Sequence, residues 1–206
     1  MQPFPQPIPT WFSITIMNDT DLLHDSEGFA LAKACCASDR QAQYALWKRF
    51  KNPMFGVCLR FAASRQEAED LLQDSFVQVF RNIGQYRGEG SLEGWVRRIV
   101  LRTVIQHLKK QRFHTERLDE PELERILYAT NQAFFEVEPD ESGRLVALLQ
   151  ELPPGFRTVL NLYIVEERSH EEIARELGIT VGTSKSQLNR AKAFLRRLVD
   201  KTPLLL

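Results

Sequence analysis

Lys185, Ser186, Asn189 and Arg190 fall inside one run, ELGITVGTSKSQLNRAK, from Glu176 to Lys192. Ammonium, hydroxyl, amide and guanidinium groups are the types that pair with base edges in a DNA groove, and Lys192, Arg196 and Arg197 beyond them suit phosphates. At about 100° per residue, Ser186, Asn189 and Arg190 lie opposite Leu188, Ala191, Leu195 and Leu198. A polar face of this kind also belongs to any amphipathic surface helix, and on pattern alone the two readings stand level.

Positioning such a face needs a second element, and the residues just before it supply one. Ser169 with Glu172 has the capping-box spacing, Ile173 and Leu177 give the short helix a buried side, and Gly178 suits the left-handed residue that ends it. Thr180 is placed to cap the next helix. Two short helices about a glycine turn form a helix-turn-helix, whose second helix enters the major groove.

Other chemistry is poorly provided for. His24, His107, His114 and His170 show neither metal-ligand spacing nor grouping with a nucleophile, so no catalytic residue, metal or cofactor is assigned. Cys35, Cys36 and Cys58 are odd in number and offer no CxxC pair, so they read as buried or incidental thiols.

The net charge of zero over 206 residues is a sum of opposed blocks. Residues 1–27 carry net −4, 28–113 net +8, 114–142 net −7 and 143–206 net +3. Two basic blocks about an acidic one predict two polyanion-facing modules on a linker, behind an N-terminal extension. Residues 1–20 hold four prolines and no helical period, and Met17 is a candidate start. Without a basic, cleavable leader or an apolar run near the roughly 20 residues that span a bilayer, the expectation is a cytoplasmic protein with no membrane insertion.

The first module reads as helical throughout. A pattern from Phe29 through Tyr44, Leu46, Trp47 and Phe50 is expected to stop at Asn52 and Pro53, with a further helix over 55–63. Ser64 and Glu67 cap a helix carrying the apolar stripe Leu72, Phe76, Val79 and Ile83. Gly84, Gly88 and Gly90 break the pattern before a helix over 92–110 anchored by Trp95 and Ile99. The acidic segment has room for a short helix. In the second module RLVALLQEL is closed by Pro153 and Pro154, and GFRTVLNLYIVEE forms another helix. No strand alternation is visible, so the fold is all-α: two small helical domains joined by an acidic linker.

The stretch LPPGFRTVLNLYIVEERSHEEIARELGITVGTSKSQLNRAKAFLRRL resembles region four of the extracytoplasmic-function sigma factors. Independently, AEDLLQDSFVQVFRNIGQYRGEGSLEGWVRRIVLRTVIQHLKK resembles region two of the same family. The resemblance implies partners: core RNA polymerase through its clamp coiled coil and flap, promoter DNA, and an anti-sigma factor. It places Asp70, Gln73, Asp74 and Val77 against polymerase. It puts Tyr86, Arg87, Gly88, Glu89 and Ser91 in the loop that takes a flipped minus-ten base, with Trp95, Arg98, Arg102, Lys109 and Lys110 alongside. Thr183, Lys185, Ser186, Asn189, Arg190, Lys192 and Arg197 become the minus-thirty-five set. The match departs at Arg102, where Asn is common, at Gln106 for Asp, at Ser184 for Val and at Gln187 for Arg. Ser184 and Gln187 are therefore expected to mark an altered promoter preference. The rival reading is a stand-alone helix-turn-helix regulator, which need not bind core polymerase.

Overall fold

The computed structural model describes residues 25–115 and 141–201, and among these every regular element is helical. Expectations for residues 1–24 and 116–140, including the proline-bearing extension, the candidate start and a helix in the acidic segment, lie outside the described residues.

The first helix, α1 (Ser26–Cys36), begins within the stretch assigned to the extension, because Asp25 caps it by accepting the Gly28 N–H at 2.7 Å. Ser38, at φ 60°, turns the chain, and Asp39 caps α2 (Arg40–Phe61) through the Gln41 and Ala42 N–H groups. The expected break at Asn52 and Pro53 does not occur: α2 runs through Pro53. Proline removes one helical hydrogen bond and crowds the preceding turn. Against that stands an unbroken buried side of Leu46, Phe50, Met54, Val57 and Phe61, each worth roughly 1.5–3 kcal/mol of burial. The chain breaks instead at 37–39.

Ser64 caps α3 (Arg65–Asn82), accepting the Glu67 N–H at 3.0 Å. The return half of the box is displaced by one residue, since the Glu67 carboxylate accepts from the Ala63 N–H and meets His107 Nε2 at 3.1 Å. Ala68, Leu71, Phe76, Val79 and Ile83 are the buried side, so Leu71 takes the place expected of Leu72, which is half-buried at its edge. A 3-10 turn (Ile83–Gln85) and a glycine loop lead to α4 (Leu92–Thr115). Its core residues are Leu92, Val96, Val100, Val104 and Leu108, at steps of four, which leaves Trp95 and Ile99 beside the core rather than anchoring it.

The second module opens with α5 (Glu141–Gln150). Pro154 starts the next helix, α6 (Pro154–Leu160), where its missing N–H costs nothing. A π turn (Asn161–Val165) follows, so GFRTVLNLYIVEE is not one regular helix. Then come α7 (His170–Leu177) and α8 (Val181–Lys201) around Gly178 at φ 69°. Both halves of the Ser169–Glu172 capping box are made, and Thr180 Oγ1 accepts the Thr183 N–H at 3.0 Å. Val159, Leu162, Ile173, Leu177, Leu188 and Ala191 form this module's core.

The modules touch where α2 ends. The last carbonyls of a helix have no intrahelical partner. Those of Leu59 and Arg60 accept from Gln150 Nε2 and Asn161 Nδ2 of the second module, each at 2.8 Å.

Candidate nucleic-acid interface

On α8 the division of faces follows the sequence. Leu188 and Ala191 are buried, and Lys185, Ser186, Asn189, Arg190, Lys192 and Arg197 are exposed. Thr183 is half-buried and its hydroxyl lies 2.8 Å from that of Thr180, so its first role is in the cap. Ser184 corrects an expectation. It is fully buried and its Oγ sits 2.9 Å from His170 Nδ1, where it ties α8 to α7 and has no access to a base. His170 in turn stacks on Tyr163, with ring centroids 4.6 Å apart. The half-buried Gln187 is the departure that borders the reading face.

The loop before α4 is built around Asp25. Its carboxylate accepts the Leu92 N–H at 2.8 Å as well as that of Gly28, and Tyr86 Oη lies 3.3 Å away. Burial raises its pKa, but the hydrogen bonds from Leu92 and Gly28, with the Tyr86 hydroxyl and the Arg49 charge nearby, outweigh burial and leave it below the usual aspartate value. Tyr86, at 5% exposure and with its hydroxyl donating to the Gly90 carbonyl at 2.7 Å, braces the loop from within. Burial, then the neighbouring Asp25 charge, push its phenol up to about 12. Gly88 and Gly90 take φ 78° and 75°, the left-handed region that favours glycine, while Arg87 and Glu89 stay exposed. Ser91 accepts the Gly94 N–H at 3.1 Å, fixing the start of α4.

Beyond the loop, Arg98, Arg102 and Lys110 are exposed on α4, with Trp95 and Lys109 half-buried. Trp95, Arg98, Arg102 and Lys109 line a cleft of about 760 Å³ together with Arg168 and Glu176 of the second module. A third surface lies on α3, where Asp70, Gln73 and Asp74 are exposed beside Val77 at 42% exposure. A large apolar side chain in water among carboxylates is what a partner helix would cover.

Residues 46–114 match the model of sigma-70 region 2, and residues 142–195 match that of sigma-70 region 4. The RNA polymerase sigma-H factor of Pseudomonas aeruginosa is 29% identical over 171 residues, covering 79% of this chain and 86% of its own. The ECF RNA polymerase sigma factor SigE of Mycolicibacterium smegmatis is 28% identical over 197 residues, covering 89% and 73%. The chain belongs to the sigma-70 family, as an extracytoplasmic-function sigma factor. Such a factor binds core RNA polymerase and directs promoter recognition, DNA melting and initiation. Among solved structures, CnrH in complex with the cytosolic domain of CnrY is similar at 21% identity and TM-score 0.43, covering 84% of the sigma factor and 97% of that chain. RpoE of Bartonella quintana in complex with the anti-sigma factor NepR is similar at 19% and 0.44, covering 84% and 94%.

Three residues of the sigma factor escape a sequence reading: Asp25, His170 and Glu166. Asp25 sits in a tract read as extension, and its partners Tyr86 and Leu92 lie 61 and 67 positions away. His170 stands outside any motif, and its pairing with Ser184 needs the turn to be folded. Among the described residues there is no cluster fit for a metal, and no helix is long and apolar enough to cross a membrane.

Proposed function

We propose that α8 reads the minus-thirty-five duplex through Lys185, Ser186, Asn189 and Arg190, with Lys192 and Arg197 on flanking phosphates. The observation that carries this is the exposure of all six while Leu188 and Ala191 are buried on the opposite side. In the first module the loop from Arg87 to Ser91 takes an unpaired minus-ten base, and Arg98, Arg102, Lys109 and Lys110 hold the strand that carries it. Tyr86 supports the loop from beneath. Because an extruded base is bound and a stacked one is not, binding shifts the duplex toward the melted state without ATP.

The α3 face of Asp70, Gln73, Asp74 and Val77 docks on the clamp coiled coil of core polymerase. The protein is a cytoplasmic transcription factor rather than an enzyme, and an anti-sigma protein holds it in check. One similar solved structure holds an anti-sigma factor, NepR, and another holds the cytosolic domain of CnrY. The decisive experiment is selection of promoters from a randomised library by the sigma factor with core polymerase. Enrichment of paired minus-thirty-five and minus-ten elements supports the assignment; enrichment of a single duplex element contradicts it.

A further inference from the structure

Ser184 is fully buried on the seam between α7 and α8, one position before Lys185 and two before Ser186. It stands near the N-terminal end of α8, the end at which a recognition helix meets base edges. Further along the seam, Leu188 and Ala191 are apolar. Apolar contact is non-directional, so it holds α8 against α7 while leaving the roll of α8 about its own axis loosely set. A hydrogen bond weakens steeply off its line. The 2.9 Å contact between Ser184 Oγ and His170 Nδ1 crosses the seam at that end and supplies the missing direction.

His170 is itself held in place. It follows Ser169, whose hydroxyl accepts the Glu172 N–H at 3.2 Å while its N–H donates to the Glu172 carboxylate at 2.8 Å. Its ring lies on Tyr163, with planes 23° apart. Tyr163 stands in the π turn, which is closed by the Glu166 N–H on Asn161 O at 3.1 Å, the Arg168 N–H on Leu162 O at 2.9 Å and Asn161 Nδ2 on Arg157 O at 2.9 Å. All of these bonds lie within the second module. The Glu166 carboxylate also receives Arg97 at 2.8 Å and Arg60 at 3.1 Å from the first module, but the Tyr163 platform does not depend on that pair. Lys192 of α8 sets its ammonium 5.9 Å from the Tyr163 ring centroid, at the outer reach of a cation–π contact. One tyrosine thus refers α8 at two points, Ser184 through His170 and Lys192 directly, about 12 Å apart along the helix.

We infer that the His170–Ser184 pair positions the recognition helix: by fixing the roll of α8 on the Tyr163 platform, it makes the buried Ser184 a determinant of minus-thirty-five selectivity without touching a base. This rests on α8 being the helix that reads the minus-thirty-five duplex. Side chains reach about 5–6 Å from a helix axis, so a roll of about 10° carries them about 1 Å. That shift takes a base-edge hydrogen bond of about 2.9 Å out of range. The long side chains of Lys192 and Arg197 follow their phosphates through it, so selectivity falls while general affinity stays.

The test uses holoenzyme assembled from core polymerase and the full-length sigma factor. It measures the ratio of affinities for a promoter recovered by selection and for the same promoter with its minus-thirty-five element scrambled. Ser184→Ala and His170→Phe, the latter keeping a ring against Tyr163, are each expected to lower that ratio about tenfold, the worth of about one base contact, with affinity for the scrambled promoter unchanged. The double variant is expected to lose no more than either single one, because the two side chains make one contact. Loss by the same factor on both promoters would mean a purely structural role and overturns the inference, as does an unchanged ratio. Should one variant lose its helical circular dichroism, the other decides alone by the same ratio. Wild-type holoenzyme that fails to distinguish the two promoters strikes the reading of α8 and the inference with it; wild type that distinguishes them no better than the variants do strikes the inference alone.

Discussion

Replacing Asp25 with alanine should unfasten the minus-ten loop from the first module. The carboxylate caps α1 through Gly28, holds the Leu92 N–H at the start of α4, and stands 3.3 Å from the Tyr86 hydroxyl. Loss of an N-cap acceptor costs about 1 kcal/mol. Leaving the Leu92 N–H unpaired beside a fully buried side chain costs about 1–3 kcal/mol more. Tyr86 keeps its bond to Gly90, so its share is small. The sum is about 2–4 kcal/mol, read by urea unfolding of the first module in the full-length protein. The pH dependence has a definite sign. Asp25 titrates lower in the folded protein than its unfolded value near 3.9, so its contribution is whole above about pH 4 and fades as pH falls through the folded pKa. The gap between wild type and Asp25→Ala should therefore be full at neutral pH and narrow in acid. A loss under about 1 kcal/mol at neutral pH, or a gap independent of pH, would refute the role given to this residue.

Asp70→Ala combined with Gln73→Ala should weaken core-polymerase binding while leaving the melting temperature in place, since both side chains are exposed; unchanged affinity in a pull-down titration removes the docking assignment. Arg190→Ala should cost about 1–3 kcal/mol on the preferred minus-thirty-five duplex and relax its selectivity. An equal loss on random duplex would make Arg190 a phosphate contact. Glu167→Gly should stabilise the second module by about 1 kcal/mol, because Glu167 stands at φ 51° where a side chain crowds the backbone; thermal unfolding without a gain means that its contacts outweigh the strain.

The helix-turn-helix was readable because local chemistry specifies it. Ser169 and Glu172 close a capping box, Gly178 is left-handed, and Leu188 with Ala191 faces the core, each set by neighbours a few positions away. The same logic failed at Pro53, where burial along one continuous side of α2 outweighs a local breaker. It also assigned Trp95 and Ile99 to the core, although Val96 and Val100 one residue on are the buried ones. A tyrosine in a glycine loop has the composition of a stacking platform. Only the distance from Tyr86 to Gly90 and Asp25 shows that it faces inward. Ser184 belongs to the same class: its place in the recognition helix was plain, but its partner His170 arrives from the other side of the turn. Glu166 was the least legible, because both arginines it holds come from the other module, 69 and 106 positions away.

Run-off transcription with purified core polymerase on promoters recovered from a randomised library addresses the central claim most directly. Transcripts that need this protein and start at a fixed distance from a paired minus-thirty-five and minus-ten element, without ATP-driven melting, are the predicted result. Core polymerase that gains no promoter-specific start when the protein is added would contradict it.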